Sequence, residues 1–283
     1  MRLFYDKTDL KHAKKLGDSR LAWLRELGAT ELSEAALDEP GFLFGYDLGL
    51  EHLEKQVASR PTLHDRPEER QELLALDHVL DRLHESGVDV PTPKTWILRI
   101  DEEPPSDLEF PLFVRTPKSS WKRGGDQAKA RNLKELDDEV QLLRRTFGWD
   151  VSILARKWLD IAVAGQWMFG NAPQEIRVWV VDHSPTAWSF HYLHAVPKPK
   201  GFPPSDDDLD LLRELAARVA SPFRSRLIVT DFVRDKKGAW HFLEAGPGAV
   251  AGTAHEDVFK HVAATLIGRH EGFEGDDVGG RSR

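Results

Sequence analysis

The chain has 283 residues, of which 40% are hydrophobic and 30% are charged, and its formal net charge at pH 7 is −8. This composition is typical of a folded globular protein, and the acidic balance argues against a non-specific nucleic-acid binder. The complete lack of Cys excludes disulfides, thiolate nucleophiles and Cys-ligated metal sites. No apolar run is long enough to cross a membrane and the N-terminus lacks a signal-peptide pattern, so we predict a cytoplasmic protein without membrane contact.

The first 90 residues are predicted to be mostly helical. Leucines on one helical face predict a helix that ends near Gly28: Leu21, Leu24 and Leu27. A stronger helix is predicted from Pro67 to Gly87, with leucines at spacings of three and four residues: Leu73, Leu76, Leu80 and Leu83. The segment Pro40–Gly49 between them contains Gly and aromatic residues and has no predicted element.

The next region, residues 91–160, alternates short strands with one helix. Apolar strings predict strands at Thr95–Ile100, Phe110–Val114 and Val151–Leu154. Asn132 is typical of a helix N-cap, and Glu135 stands at the capping-box position. A helical stripe follows them: Leu133, Leu136, Val140, Leu143 and Phe147.

Residues 161–268 are predicted to form an antiparallel sheet with helices. Four strands are predicted: Glu175–Asp182, Thr186–Leu193, Arg226–Arg234 and Ala239–Glu244. Ser205 caps a predicted helix, and a last helix carries Val258, Val262 and Leu266. The tail 269–283 is rich in Gly and charge and is predicted to be disordered. Helices and antiparallel strands in this order predict an α+β fold.

A basic segment from Arg115 to Lys134 contains seven basic residues and only one acid, Asp126. A strand delivers Arg115, and the following residues supply Lys118, Lys122, hydroxyls and a Gly pair. These groups suit phosphate recognition, although a solvated basic loop has the same composition. Both interpretations stay open, and no Walker phosphate-binding sequence is present.

Arg177 lies in the middle of the strand Glu175–Asp182. Alternation places it on one face with Glu175 and Trp179. A buried Arg needs an anionic partner, which is either a nearby carboxylate or a phosphate.

Asp231 and Glu244 form the third group. A two-residue turn at Lys236-Lys237 would place Asp231 opposite Phe242, with Glu244 as a diagonal neighbour on the same face. Two such carboxylates suit a hard divalent cation such as Mg²⁺, or each is satisfied by its own basic partner. The His residues show no tight metal-binding spacing, and neither a Ser nucleophile elbow nor a dinucleotide-binding glycine pattern occurs.

The order of these features from Pro91 to Leu266 resembles the ATP-grasp superfamily. A strand Arg precedes a Ser/Lys segment, then a hinge, a Glu-x-Arg strand and an acidic pair in the last hairpin. The resemblance is closest to the divergent arginine-to-lysine clade, which also contains the eukaryotic assembly factor for a translation initiation complex. The segment Gly87–Pro93 is similar to the sequence that precedes the core in that family. The resemblance implies a two-lobed fold with lobes at 91–160 and 161–268.

The resemblance also implies ATP and Mg²⁺ as ligands. Arg115 and Lys122, or Lys118 in its place, would contact the phosphates, and Arg177 would neutralise the transferring phosphoryl group. The hinge Ala155–Leu159 would hold the adenine through backbone atoms, with three side chains nearby: Arg156, Lys157 and Trp158. The carboxylates of Asp231 and Glu244 would bind Mg²⁺. Many ATP-grasp enzymes carry Asn two residues after the metal-binding Glu, and this chain has Gly246 there.

The leading hypothesis is a ligase that activates a carboxylate or phosphate by phosphoryl or adenylyl transfer from ATP, for attack by a nucleophile. Its acceptor is a small molecule, a peptide or RNA. One alternative is an ATP-binding assembly or regulatory module without turnover. Another is an ATP-dependent enzyme on RNA ends, which the basic segment favours. The simplest alternative is an α+β protein whose charges are ordinary surface.

Overall fold

Three four-stranded sheets and one two-stranded hairpin organise the part of the chain that the structure describes. The structure is a computed structural model, and it describes residues 1–6, 20–44, 54–55, 57–64, 66–100, 102–118, 128–167, 170–191, 204–252 and 255–268. The predicted tail 269–283 and Lys122 lie outside these residues. Within the described segments, none of the helices combines the length and apolar character that crossing a bilayer requires.

The N-terminal region contains a small parallel sheet. Its strands are β1 (Arg2–Tyr5), β2 (Thr30–Glu31), β3 (Gly41–Phe44) and β4 (Leu63–His64), in the order β2-β1-β3-β4. Helix α1 (Arg20–Glu26) lies between β1 and β2 in the sequence. The prediction of a mostly helical region missed this sheet. Strands of two to four residues are too short to show alternation, and buried parallel strands appear only as brief apolar strings.

The predicted helix from Pro67 to Gly87 is broken into two helices, α2 (Pro67–Gln71) and α3 (Leu76–Glu85). Tertiary contacts explain the break, because the Leu76 N–H donates to the carbonyl oxygen of Pro117 at 3.2 Å instead of continuing a helix. Gly87 has a φ of +67° just after α3, as expected for a glycine that ends a helix.

The first antiparallel sheet has the order β5-β8-β6-β7. Its strands are β5 (Thr95–Leu98), β6 (Leu112–Arg115), β7 (Lys129–Ala130) and β8 (Ile153–Lys157). Helix α4 (Leu133–Phe147) packs its apolar stripe on this sheet. The Asn132 side chain accepts a hydrogen bond from the Glu135 N–H at 3.0 Å, which confirms the predicted cap. Strand β8 extends to Lys157, three residues beyond its predicted end.

The second antiparallel sheet has the order β12-β11-β13-β14. Its strands are β11 (Glu175–Val181), β12 (Ser184–Phe190), β13 (Leu227–Arg234) and β14 (Trp240–Pro247), and a short hairpin of β9 (Val163–Trp167) and β10 (Gly170–Pro173) precedes them. Helices α5 (Asp206–Ala220) and α6 (Glu256–Leu266) complete the described elements. The α+β fold with antiparallel sheets is confirmed.

The second sheet is buried on both faces. Ile176, Val178 and Val180 pack in one core with α3 and α5. Trp179 and Val181 point to the opposite core, which also contains residues of β1, β3 and α6. Arg177 therefore lies on the Trp179 face, as alternation predicts. The N-terminal sheet and α6 cover this face and enclose the polar residues at its end.

Candidate functional site

A buried ion pair joins the two central strands of the second sheet. Arg177 on β11 and Asp231 on β13 are direct cross-strand partners. The Arg177 Nε donates to Asp231 Oδ1 at 2.8 Å, and its Nη2 donates to Oδ2 at 2.7 Å. The Nη1 atom donates to the carbonyl oxygen of Gly252 at 2.8 Å. Of the partners considered for Arg177 in the sequence, Asp231 is therefore the carboxylate that the guanidinium contacts in this bidentate geometry.

Glu244 on β14 is the direct cross-strand partner of Asp231. The predicted register, with Asp231 opposite Phe242, was wrong by two positions. One position comes from the turn, which closes with a hydrogen bond from the Asp235 N–H to the Ala239 carbonyl and has Gly238 at a φ of +91°. The other comes from a β-bulge in β14, since Phe232 pairs with Phe242 while the preceding residue pairs with Glu244.

This bulge decides which way Glu244 points. Leu243 is the extra residue, and in a regular ladder without the bulge Asp231 would face Leu243 while Glu244 would point to the other side of the sheet. With the bulge, the two carboxylates lie side by side on one face. The arrangement is closer than the diagonal one that the sequence predicted.

Arg115, the last residue of β6, contacts this acidic pair from the first sheet. Its Nη1 donates to Glu244 Oε2 at 2.7 Å, and its Nε donates to the Thr116 carbonyl at 3.2 Å. The Arg115 and Glu244 side chains are 17% and 33% exposed, against 10% and 2% for Arg177 and Asp231. The Arg115 end is therefore the more accessible end of the site.

The electrostatics keep both carboxylates ionised. Burial opposes the charge on Asp231, but Arg177 and then His191 outweigh it and hold the pKa of Asp231 well below its usual range. Burial likewise opposes the charge on Glu244, but Arg115 lowers the pKa of Glu244 despite repulsion from Asp231. Asp231 in turn raises the pKa of Arg177 against the effect of burial.

Arg156 on β8 connects the two sheets. Its Nη1 donates to the Leu243 carbonyl at 2.7 Å, its Nη2 donates to Thr92 Oγ1 at 3.0 Å and its Nε donates to Thr95 Oγ1 at 3.2 Å. The side chain is buried, and burial together with the nearby charge of Arg115 lowers the pKa of Arg156 to about 10. These bonds show a structural role, and the predicted place of Arg156 near adenine stays a prediction.

The other two side chains predicted near adenine lie at the end of β8, a central strand of the first sheet. Lys157 is exposed and forms an ion pair with Glu109. Trp158 is half-buried, its backbone N–H donates to the Pro111 carbonyl at 3.0 Å, and Lys129 Nζ lies 4.2 Å from the centre of its ring. Their roles in binding a nucleotide stay predictions.

The basic segment is described only in part, because residues 119–127 lie outside the described residues. Lys118 is exposed at the start of this gap. Arg131 forms an ion pair with Glu135 at 3.3 Å in the first turn of α4. Whether Lys118 or Lys122 contacts phosphate therefore stays open.

A cluster around Asp231 that the sequence patterns did not reveal includes Glu175 and His191. The His191 Nδ1 lies 3.5 Å from Asp231 Oδ2, and its Nε2 lies 3.8 Å from Glu175 Oε1. One ligand atom from each of the three residues lies within 4.8 Å of the others. The usable signal was strand parity, since Ile176 pairs with Phe190. A register shift between Trp179 and Val180 means that this pairing could not be predicted by counting residues back from the turn between β11 and β12.

The glycines after Glu244 differ in their surroundings. A Cβ atom at Gly248 would lie 2.4 Å from Leu227 Cγ, so close packing requires glycine there. A Cβ atom at Gly246 would have Val229 Cγ2 as its nearest neighbour at 3.8 Å, which is an ordinary contact. Gly246 therefore has room for a side chain where many ATP-grasp enzymes carry Asn.

Two α+β units meet at arginines and paired carboxylates. This arrangement is typical of the ATP-grasp class of proteins. Residues 102–266 match a family model described as the ATP-grasp domain, R2K clade family 3. The match spans more than half of the 283 residues, and the chain belongs to this family.

Solved structures with a similar fold include an ATP-grasp protein and a ligase. A RimK domain ATP-grasp protein from Sphaerobacter thermophilus DSM 20745 is 14% identical, with a TM-score of 0.57, and the match covers 94% of this chain and 99% of that one. D-alanine–D-alanine ligase from Bacillus anthracis is 13% identical, with a TM-score of 0.62 and 95% of each chain covered. Its complex with ATP is 14% identical, with a TM-score of 0.62, and the match covers 95% of this chain and 97% of that one.

At identities of 13–14%, these structural matches show a shared fold alone. No curated protein sequence is detectably similar to the chain.

Proposed function

We propose that the chain is an ATP- and Mg²⁺-dependent ligase that activates a carboxylate or a phosphate for attack by a nucleophile. The observation that carries the proposal is the set of two Arg–carboxylate pairs, Arg177–Asp231 and Arg115–Glu244, at the junction of the two antiparallel sheets. Family membership supports it, because ATP-grasp proteins bind ATP between two such units.

The two acidic residues fit a hard divalent cation. Asp231 and Glu244 are adjacent on one face, both are ionised near neutral pH, and carboxylate oxygens are the ligands that Mg²⁺ prefers. Mg²⁺ bound there would neutralise charge on the nucleotide phosphates. Each carboxylate now accepts hydrogen bonds from an arginine, so we infer that the arginines balance the acids until cation and phosphates arrive together.

Phosphoryl transfer needs positioning and charge neutralisation more than covalent chemistry from the protein. In the proposed reaction, an oxygen of the acceptor attacks the γ-phosphorus, the bond to the bridging oxygen breaks, and ADP leaves. A nucleophile such as an amine then attacks the acyl phosphate, and inorganic phosphate leaves. In the adenylyl version attack falls on the α-phosphorus and pyrophosphate leaves, and the later attack on the acyl adenylate releases AMP.

We place the proposed phosphate contacts at the Arg115 end of the site, because it is the more accessible end. We propose that Arg115 and one lysine, Lys118 or Lys122, contact phosphate oxygens. Arg177 would neutralise the transferring group. The segment Ala155–Leu159 would hold the base, with Lys157 and Trp158 at its edge and Arg156 fixing its position. The finer relation to the eukaryotic assembly factor belongs to the same proposal.

Calorimetric titration tests ATP binding. We expect wild-type protein to bind ATP, with affinity that rises when Mg²⁺ is added. Glu244→Gln should lose most of the Mg²⁺ effect, because the amide removes one charged ligand. Glu214→Gln is the matched control, since Glu214 is an exposed carboxylate on α5. Absence of binding at millimolar nucleotide, or an equal effect of both variants, would contradict the proposal.

The alternative of an ATP-binding module without turnover is separated by product release. A ligase releases ADP or AMP when its acceptor is supplied, whereas a module binds ATP and releases neither in a screen of carboxylate, peptide and RNA acceptors. For an enzyme on RNA ends, RNA binding must fall steeply with salt and must depend on three basic side chains: Lys129, Arg131 and Lys134.

A further inference from the structure

A histidine stands among the carboxylates at the buried end of the site. His191 follows β12 and lies between Glu175 and Asp231, at 3.8 Å and 3.5 Å from their nearest oxygens. Its side chain is 13% exposed, and those of Glu175 and Asp231 are 11% and 2% exposed. The proposed pair of magnesium ligands, Asp231 and Glu244, does not include this histidine.

The spacing suits a single metal ion. Two atoms that each lie about 2.1 Å from one cation are about 3.0 Å apart at a right angle and about 4.2 Å apart when opposite. The 3.5 Å separation involves Nδ1 and the 3.8 Å separation involves Nε2, so a single ion takes one of these two nitrogens and the other carboxylate must move toward it. One atom from each residue lies within 4.8 Å of the other two, so small side-chain rotations bring all three to one ion.

Asp231 can serve this ion while it holds Arg177. Each oxygen of Asp231 accepts one N–H from Arg177. A carboxylate has about four lone-pair positions, so acceptor capacity remains on both oxygens. On the opposite side, Gly246 offers no side-chain ligand beside Glu244, and the donors next to Asp231 come from β11 and the end of β12 instead.

We propose that Glu175, His191 and Asp231 form a binding site for a divalent transition-metal ion, with Mn²⁺ bound in preference to Mg²⁺. Imidazole is a good ligand for transition metals and a poor one for Mg²⁺, which takes oxygen ligands. The inference deepens the proposed function, because Asp231 belongs to both sites. It assigns the chain a metal preference that two carboxylates alone would not produce.

Titration of the nucleotide-free protein with Mn²⁺, followed by the electron paramagnetic resonance signal of free Mn²⁺, tests the site. We expect one tightly bound Mn²⁺ per chain, and at least about a tenfold excess of Mg²⁺ should be needed to displace half of it. His191→Ala and Glu175→Gln should each weaken Mn²⁺ binding about 10- to 100-fold. His191→Gln provides a second variant of similar size, and circular dichroism verifies that each variant is folded.

His241→Ala is the matched control. His241 also contacts a carboxylate, Asp235 at 2.9 Å, but it lies at the turn end of the last hairpin. Its substitution should leave Mn²⁺ binding unchanged. No Mn²⁺ binding by the wild type, equal affinity for Mg²⁺, or wild-type Mn²⁺ affinity in folded His191→Ala and His191→Gln would overturn the inference. Binding of ATP with Mg²⁺ by the wild type is measured separately, so that a failure of this inference can be distinguished from a failure of the proposed function.

Discussion

Replacing Asp231 with Asn should destabilise the protein strongly, because it leaves the Arg177 charge without a counter-charge. The two side chains are 10% and 2% exposed and share hydrogen bonds of 2.7 Å and 2.8 Å. Removing one partner of a buried ion pair typically costs about 3–5 kcal/mol. The joint replacement of Arg177→Met with Asp231→Leu removes both charges of the pair, so the double variant should be more stable than Asp231→Asn alone.

Urea unfolding at pH 7 without added metal, followed by the fluorescence of the nine Trp residues, measures these differences. Asp210→Asn is the control, because Asp210 pairs with Arg213 at 3.0 Å on the surface of α5 with 75% of its side chain exposed. Exposed pairs contribute little, so this variant should unfold like wild type. A loss below about 1 kcal/mol for Asp231→Asn would refute the argument that the pair is a buried, mutually dependent unit.

The pH dependence supplies a second check on Asp231. Its pKa is depressed in the folded protein, so its stabilising effect is complete above the unfolded pKa of about 3.9 and is lost as the pH falls below that value. The difference in unfolding free energy between wild type and Asp231→Asn should therefore be constant from about pH 5 to 8 and should shrink below about pH 4. A difference that grows on acidification would assign the stabilisation to another group.

Three further predictions concern the glycines that follow Glu244 and the arginine that joins the sheets. Gly248→Ala forces a Cβ atom against Leu227 and should cost about 1–3 kcal/mol in urea unfolding, whereas Gly246→Ala should change the free energy of unfolding little. Gly246→Asn adds an amide oxygen on the Glu244 face of the strand and should tighten Mg²⁺-dependent ATP binding measured by calorimetry. Arg156→Lys removes the planar fork that donates to three acceptors and should cost about 2–4 kcal/mol, measured by urea unfolding.

Each of these has its own contrary outcome. Equal stability of Gly248→Ala and Gly246→Ala would show that Leu227 moves aside freely. Unchanged ATP affinity in folded Gly246→Asn would show that the position does not face the cation. Wild-type stability of Arg156→Lys would show that the ammonium replaces the guanidinium contacts.

Local sequence patterns were sufficient to predict the structure of a helix or strand wherever one face of that element determines its packing. Alternation along β11 placed Arg177 on the face opposite Ile176 and predicted that it needs an anion, and the capping pattern at Asn132 predicted the start of α4. These features depend on neighbours within a few residues. The α+β fold and the ATP-grasp resemblance followed from the order of such elements, and the family match confirms the superfamily.

Features that depend on irregular strand pairing could not be predicted from the sequence. The position of Glu244 depends on a three-residue turn and on the bulge at Leu243, and each of them shifts the register by one residue. His191 depends on a similar shift beside Trp179. The strands of the N-terminal sheet have two to four residues, so their side chains provide too few positions to establish a period.

The bulge in β14 also has a mechanical consequence. Its extra residue, Leu243, carries the carbonyl that accepts Arg156 from the first sheet, and the next residue along the chain is Glu244. A displacement of the first sheet relative to the second would therefore pull on β14 at the peptide unit next to Glu244. We therefore expect a change in the angle between the two sheets to move Glu244 as well.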